Sequence, residues 1–279
     1  MQKIINGLLC KNKILLDDLL VNAKKSDALV PEAAKKLDYY GIVVINNFYD
    51  RTKAIELGYL LREIVKDART ELSNNEYLET PKYYSQIDNC RLKTYADIAS
   101  AGKPVFNIRS KNNNGPDAGF IDFFSIDILC ASNQLFVECL RTLRSNNVKD
   151  IIGSVSSYNA RQVNLYFNES VRNTRGPHID NLALTYKCFL YLGDVTSDSM
   201  GPYSYLPSSH KNAFIKKANI VVNKIMGRSR NTDIPMDRNA LVKIHGDAGT
   251  LIISCQSGIH SGFPQKNGHE RIVLVDNYY

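Results

Sequence analysis

The sequence predicts an α+β fold, mainly β, in which N-terminal helices pack on one sheet of a double-sheet barrel. Up to about residue 146, apolar residues recur mostly at helical spacing. After that point, short β-rich runs follow one another, separated by Gly, Pro, Asn, Asp and Ser. No repeat or clear linker divides the chain. We therefore expect one domain over residues 1–279, with a helical part of about 1–146 and a β core of about 147–279.

In the first part, the spacing of Leu, Ile and Ala predicts helices and one buried strand. The strand is the β-branched run 42–45, and the helices cover about 15–20, 29–37, 51–72 and 126–144. Residues 73–118 are polar and poorly periodic, and a loop of this length inside a domain is usually functional. We expect it to contact substrate or to act as a lid.

In the second part, the punctuation by turn residues predicts a series of short strands. They cover 151–156, 163–167, 184–192, 203–206, 251–255 and 272–275. Several short strands of this kind are typical of a β-sandwich or barrel.

Composition favours an ordinary globular protein in a reducing compartment. The chain is 44% hydrophobic and 23% charged. The apolar segment 4–10 is too short for a signal-peptide core, and no run approaches a membrane-spanning helix. The six cysteines are scattered without a Cys-x-x-Cys pair, which favours reduced thiols. We expect a cytoplasmic protein that does not associate with membranes.

The net charge of +7 is unevenly distributed, because residues 211–232 contain six basic residues and no acidic one. One interpretation is a solvated face. The other is a positive lip over a pocket for an anionic substrate. Nucleic acid is disfavoured, because no aromatic residues alternate with the basic ones to stack on bases.

Chemistry centres on His178 and Asp180, which follow a Gly-Pro turn. On an extended backbone, residues two apart leave by the same face, so an imidazole and a carboxylate lie side by side. His260, after the predicted strand 251–255, is a second imidazole. Two histidines and a carboxylate can bind one face of a ferrous ion and leave three positions open, as in non-heme iron oxygenases.

Arg271 is a guanidinium within the last apolar run of the sequence. If it faces inward, it needs an anionic partner. A dicarboxylate cosubstrate would supply one in bidentate geometry.

Together these elements resemble the phytanoyl-CoA dioxygenase family, whose members are iron(II)- and 2-oxoglutarate-dependent oxygenases on a double-stranded β-helix, or jelly-roll. The resemblance covers roughly residues 36–275 and is closest over 164–271. It rests on His178-x-Asp180, Gly201-Pro202, Leu206-Pro207-Ser208-Ser209-His210-Lys211, Gly246-Asp247, His260 and Arg271.

The resemblance implies that iron is bound by His178, Asp180 and His260, and that Arg271 holds the far carboxylate of 2-oxoglutarate. It implies no catalytic side chain beyond the metal site. Asn164 stands where related enzymes place an amide near the cosubstrate, although a role at a strand edge explains it as well.

Three further residues are weaker candidates for the site. Many members of the family have a hydroxyl two residues after the distal histidine. Here that position is Gly262 and the hydroxyl is on Ser261, which we take as a cosubstrate contact. Tyr166 and Arg175 are candidates for substrate binding, although a surface position explains Arg175 equally well.

Asp180 also bears on the reaction, because halogenating relatives lack this carboxylate. The resemblance implies hydroxylation of a small molecule, which could be anionic or carrier-linked, with O2 consumed and succinate and CO2 released. Desaturation, cyclisation or epimerisation with the same cofactors is the first alternative. A non-catalytic jelly-roll binding protein is the second.

Overall fold

The computed structural model describes residues 14–24, 28–74, 84–87, 104–108, 117–227 and 232–279. Most of the predicted loop 73–118 therefore lies outside the described residues, and its role as a lid stays a prediction. In the described part of the chain, no helix is both long enough and apolar enough to cross a bilayer.

A large and mostly antiparallel sheet forms the centre of the described structure. Its nine strands lie in the order β1-β2-β10-β7-β12-β6-β5-β4-β3, and only the pairs β1–β2 and β3–β4 are parallel. These strands are β1 (Leu20–Asn22), β2 (Ile42–Asn46), β3 (Tyr84–Ile87), β4 (Val105–Ile108), β5 (Phe120–Phe124), β6 (Ala160–Glu169), β7 (Tyr186–Tyr191), β10 (Leu251–Cys255) and β12 (Glu270–Tyr278).

A smaller sheet has three strands in the order β11-β8-β9, all antiparallel. They are β8 (Tyr203–Tyr205), β9 (Val242–Ile244) and β11 (His260–Gly262). One apolar cluster joins residues of both sheets, among them Tyr191, Val273, Tyr205 and Ile244. The two sheets are therefore packed on each other through this cluster.

The helices pack mainly on the other face of the large sheet. They are α1 (Leu16–Leu19), α2 (Leu29–Tyr40), α3 (Arg51–Asn74), α4 (Ile126–Leu129), α5 (Gln134–Leu143), α6 (Asn146–Gly153) and α7 (Ala213–Ile225). A second, larger cluster contains Leu57, Leu61, Phe136 and Ile151 from the helices together with Leu165 from the sheet. Burial of each such side chain contributes about 1.5–3 kcal/mol.

Alternation along β6 places one set of residues against the helices and the other between the sheets. Val163, Leu165 and Phe167 belong to the helix-side cluster. Asn164 and the residues two and four positions later therefore face the space between the sheets. This register brings polar side chains of β6 toward the interior of the double-sheet structure.

Gly41 ends helix α2 and marks a close approach of two segments. Its φ of +76° lies in the left-handed region, and its N–H bonds to the carbonyl of Leu37. A Cβ at this position would stand 2.4 Å from Nδ1 of His210. Both the backbone conformation and the space therefore require glycine.

Most predicted elements are present, but one expectation needs correction. The run 151–156 was expected as a strand, yet it begins inside helix α6, where Val148, Ile151 and Ile152 form a buried stripe. Short apolar runs do not separate a strand from a buried helix. The division into a helical part of about 1–146 and a β core of about 147–279 stays a prediction. In the large sheet, β1 and β2 of the first part lie next to β10 of the second.

Candidate metal centre

Two backbone segments that pair with each other hold the predicted ligands. The N–H of His178 bonds to the carbonyl of His260 at 3.0 Å, and the reverse bond is 2.9 Å. The N–H of Asp180 bonds to the carbonyl of Gln256 at 3.0 Å. This pairing fixes the two segments side by side, with His178 and Asp180 on one face.

The three side chains converge on one point. Oδ1 of Asp180 lies 3.7 Å from Nε2 of His178 and 3.6 Å from Nε2 of His260. All three ligand atoms lie within 4.8 Å of one another. Ligands about 2.0–2.2 Å from a common ion are about 3 Å apart. Small side-chain rotations would therefore bring them onto one metal ion.

The protein also sets the tautomer of both histidines. Nδ1 of His178 lies 2.8 Å from the carbonyl of Gly176, and Nδ1 of His260 lies 2.9 Å from that of Gly258. Because a carbonyl oxygen only accepts, each Nδ1 carries the proton. Each Nε2 is left with a free lone pair that faces the other ligands.

Both His178 and Asp180 are held in the deprotonated form that a metal needs. Burial lowers the pKa of His178 well below its usual value. Burial alone would raise the pKa of Asp180, but Lys187, His260 and His178 together outweigh it and hold that pKa well below its usual range. Nζ of Lys187 lies 2.7 Å from Oδ2 of Asp180, which leaves Oδ1 toward the histidines.

A cavity of about 180 Å³ opens beside the three ligands. Its walls combine aromatic rings with charged and polar groups. Besides the three ligands, the lining comprises Asp117, Phe120, Asp122, Tyr166, Asn168, Thr174, Arg175, Lys187, Phe189, Tyr191, Tyr203, Gln256, Gly262, Arg271 and Val273.

Arg271 lines the same cavity and is buried, with 8% exposure. Its Nη1 donates to the carbonyl of Gly201, while its Nε has no hydrogen-bond partner in the described part of the chain. Among the described residues, no carboxylate forms an ion pair with it, and burial lowers its pKa. A Cβ at Gly262 would stand 3.6 Å from Nη2, so the missing side chain leaves room beside the guanidinium.

The other predicted residues divide between the cavity and its surroundings. Tyr166 lines the cavity, with its ring 5.3 Å from that of Phe120. Arg175 also lines it, but its guanidinium is bound to Asp233 and Thr232. Arg175 is therefore less available to a substrate than the sequence suggested.

The structure does not bring Ser261 or Asn164 to the cavity lining. Ser261 faces away from His260 on the short strand β11, and its hydroxyl donates to the carbonyl of Arg175 at 2.7 Å. Asn164 is fully buried on the interior face of β6, outside the lining residues.

The sequence reasoning missed Asn168 and Lys187. Asn168 pairs with Arg271 across β6 and β12, lines the cavity, and has an Oδ1 without a hydrogen-bond partner. Its position four residues after Asn164 puts it on the same face, so the strand period could have identified it. Lys187 had no signal, because its contact with Asp180 depends on the fold.

The basic stretch 211–232 does not contribute a positive lip to the lining of this cavity in the described residues. Most of it is helix α7. Lys216 is buried and bonds to backbone carbonyls. Lys217 and Lys224 are exposed.

Comparison with known proteins shows the fold. No family model and no curated protein matches the chain. Among solved structures, the chain is similar to the non-heme alpha ketoglutarate-dependent carbocyclase SnoK from nogalamycin biosynthesis. The TM-score is 0.55 at 13% identity, over 92% of this chain and 85% of SnoK.

Two further solved structures are similar to the chain in the same way. The non-heme alpha ketoglutarate-dependent epimerase SnoN, also from nogalamycin biosynthesis, has a TM-score of 0.51 at 13% identity, over 91% of this chain and 84% of SnoN. AviO1 from Streptomyces viridochromogenes Tue57 has a TM-score of 0.53 at 12% identity, over 91% of this chain and 96% of AviO1. One SnoN structure holds Fe3+ and alpha ketoglutarate (2-oxoglutarate).

At these identities the likeness establishes a shared fold. The chain therefore has the fold of non-heme iron, 2-oxoglutarate-dependent enzymes, and it places a His-Asp-His cluster able to hold a metal ion in one cavity. Membership of the phytanoyl-CoA dioxygenase family stays a prediction.

Proposed function

We propose that this protein is an iron(II)- and 2-oxoglutarate-dependent oxygenase of the jelly-roll type that oxidises a small molecule. One observation carries the proposal. A single cavity contains three convergent metal-binding side chains and a buried arginine that has no carboxylate partner among the described residues. A metal-free binding protein has no need for both.

The donor set fits ferrous iron. Two imidazoles and one carboxylate on one side of an ion are the facial arrangement of non-heme iron oxygenases. The free Nε2 atoms of His178 and His260 and the ionised Asp180 match the protonation states that coordination requires. The cavity lies on the open side of the three ligands, where small ligands would bind.

The arginine end fits a dicarboxylate. A buried guanidinium without a counter-ion is costly, and a carboxylate bound in bidentate geometry relieves that cost. Within the described residues, Nε of Arg271 and Oδ1 of Asn168 both lack partners, and the two residues are opposite each other on neighbouring strands. The far carboxylate of 2-oxoglutarate would bond to Arg271, with Asn168 beside it.

Bound iron and 2-oxoglutarate together supply the oxidising chemistry, in which O2 is consumed and succinate and CO2 are released. The protein's own residues position the reactants. Lys187 holds one oxygen of Asp180 and leaves the other for the metal. Arg271 orients the cosubstrate along the cavity. Tyr166, Phe189 and Tyr203 form an apolar wall that excludes water from the site.

The outcome of the reaction depends on where the substrate lies in the cavity. Hydroxylation is our first proposal, because the carboxylate of Asp180 is retained. Epimerisation and cyclisation are the alternatives, since SnoN and SnoK, which have this fold, are an epimerase and a carbocyclase. Turnover under ¹⁸O2 separates them, because hydroxylation places the label in the product and the other two reactions do not.

Succinate release tests the proposal against a non-catalytic binding protein. The protein, loaded with iron(II), is incubated with 2-oxoglutarate, ascorbate and O2, and succinate is measured with and without candidate small molecules. We expect slow release without substrate and faster release with one. His178→Ala should release none, and an absence of succinate from the parent protein under every condition would contradict an oxygenase.

A further inference from the structure

Helix α7 buries several polar side chains and exposes several apolar ones. Lys216, Asn219 and Asn223 point inward, with 1%, 3% and 1% exposure. Phe214 and Ile225 point outward, with 84% and 80% exposure. A surface helix normally buries its apolar stripe. The inner face of α7 therefore contributes hydrogen bonds to the structure, in addition to the packing of Ile220 against a small apolar cluster.

Lys216 fixes the turn between β10 and β11. Its Nζ donates to the carbonyl of Ser257 at 2.7 Å and to that of His210 at 2.8 Å. Tyr205 closes the other side of the turn, since a Cβ at Gly258 would stand 1.8 Å from the tyrosine hydroxyl. The turn is thus held between helix α7 and strand β8.

This turn carries two of the bonds that orient the metal ligands. The carbonyl of Gln256 accepts from the N–H of Asp180, and the carbonyl of Gly258 lies 2.9 Å from Nδ1 of His260. Ser257, which Lys216 holds, lies between them. A shift of Ser257 would therefore move the carbonyls that orient Asp180 and His260.

The two asparagines of α7 fix the opposite segment in the same way. Asn219 and Asn223 donate to the carbonyl of Asp233 at 2.7 and 2.8 Å. Asp233 forms a β-bridge with His178. The carbonyl of Thr232, the residue before Asp233, accepts from the N–H of Ile179. Ile179 lies between His178 and Asp180 in the sequence. One helix thus holds the backbone beside all three ligands.

We propose that α7 is a positioning helix for the metal centre and that Lys216 is its principal positioning residue, acting through the turn that orients Asp180 and His260. This inference rests on the proposed metal-binding function. Lys216 does not touch the metal ligands, so its effect passes through the backbone of the turn.

The choice of lysine supports this role. A buried ammonium without a carboxylate partner is costly, and among the described residues Lys216 forms no ion pair. Burial lowers its pKa to about 8. An apolar side chain would fill the same space at lower cost. The lysine instead supplies donors to carbonyls of two separate segments, which an apolar residue could not hold in register.

The test compares Co²⁺ affinity of three variants with that of the parent, by anaerobic titration against a chelator. Lys216→Met keeps the length of the side chain and removes its donors. We expect its affinity to fall about 10–100-fold, as for other groups that orient metal ligands. Lys217→Met, on the exposed side of the same helix, should bind within about twofold of the parent.

A third variant separates positioning from general destabilisation. Ile152→Ala opens a cavity in α6, which packs in the helix-side cluster, and should lower the melting temperature without weakening Co²⁺ binding. The visible spectrum of the Co²⁺-loaded protein gives a second readout, since it reports coordination geometry. We expect it to change in Lys216→Met and to stay unchanged in Ile152→Ala.

Parent affinity and an unchanged spectrum in Lys216→Met would overturn the inference and leave the proposed function intact. A parent protein that does not bind Co²⁺ would overturn the proposed function and the inference with it. If Lys216→Met fails to fold, Asn223→Leu is tested instead. This variant is expected to fold, because Asn219 still donates to the carbonyl of Asp233. Weakened Co²⁺ binding in that variant supports the positioning role of α7, and parent affinity overturns it.

Discussion

The metal end and the arginine end of the cavity differ in how far the protein satisfies its own polar groups. At the metal end, both histidine Nδ1 atoms bond to backbone carbonyls and Asp180 bonds to Lys187. At the arginine end, Nε of Arg271 and Oδ1 of Asn168 have no partners among the described residues. Under the proposed function, the metal end would need only the ion, whereas the polar groups of the arginine end would be satisfied by a bound anion.

This difference predicts different responses to mutation. Removing a ligand at the metal end destroys a site that the protein has already organised. At the arginine end, the buried charge of Arg271 lowers the stability of the folded protein when no cosubstrate is bound and raises it when cosubstrate is bound. Removing Arg271 should therefore change stability in opposite directions in the two states.

The largest effect is expected for His178→Ala. Because loss of a group that merely orients a ligand costs about 10–100-fold in affinity, loss of the ligand itself should exceed about 100-fold. Isothermal titration with Co²⁺ under anaerobic conditions measures it. His245→Ala is the matched control, since His245 bonds to Asp198 away from the cavity. Equal loss in both variants would contradict the assignment of His178.

Arg271→Met should separate the two ends. We expect 2-oxoglutarate affinity to fall about 100-fold, because a buried charge pair is worth about 2–5 kcal/mol. Co²⁺ affinity should stay close to that of the parent. The melting temperature without cosubstrate should not fall, since an unpaired buried charge is removed.

The control for this variant is Arg172→Met, where Arg172 bonds only to Asn267 among the described contacts of its side chain. If Arg271→Met lost Co²⁺ and kept 2-oxoglutarate, the roles of the two ends would be reversed.

A third prediction concerns His210, which lies outside the cavity lining and affects the stability of the fold. Burial lowers the pKa of His210 to about 4, from 6.5 in the unfolded chain. The unfolded chain therefore binds a proton that the folded protein excludes between these values. Stability is fully present above pH 6.5 and falls as the pH drops toward 4.

The loss of unfolding free energy through His210 should reach about 2 kcal/mol at pH 5. Urea denaturation of the parent and of His210→Gln at pH 7 and pH 5 measures it. The variant should lose less stability over this interval. Identical pH dependence in both proteins would assign the acid sensitivity to other groups.

The smallest effect is expected for Asn168→Leu, which removes one hydrogen-bonding group beside the cosubstrate. A single hydrogen bond contributes about 0.5–1.5 kcal/mol, so 2-oxoglutarate affinity should fall about 3–10-fold. Asn164→Leu, on the same face of β6 but outside the cavity lining, should leave it unchanged. The opposite result would restore the assignment of Asn164 made from sequence.

Residues with a strong local signal were the most predictable. His178, Asp180, His260 and Arg271 were chosen from their chemistry and order in the sequence, and the structure gathers all four around one cavity. Their roles stay predictions until metal and cosubstrate binding are measured.

Contacts that depend on strand register or on the packing of distant segments could not be predicted. Asn168 is opposite Arg271 only because β6 pairs with β12 in one register. Ser261 was predicted to contact the cosubstrate because it follows His260 in the sequence. Alternation along β11 instead directs its hydroxyl to the carbonyl of Arg175. Residues 211–232 were interpreted as a basic stretch, because the inward-facing residues of helix α7 include Lys216, Asn219 and Asn223, which give no apolar stripe in the sequence.

Anaerobic titration of 2-oxoglutarate into the iron(II)-loaded protein, followed by visible absorption, tests the central claim most directly. Chelation of iron by the cosubstrate produces a charge-transfer band. We expect the band in the parent, its absence in His178→Ala, and its appearance in Arg271→Met only at much higher 2-oxoglutarate concentration. Absence of the band in the parent at saturating iron and 2-oxoglutarate would contradict the proposed site.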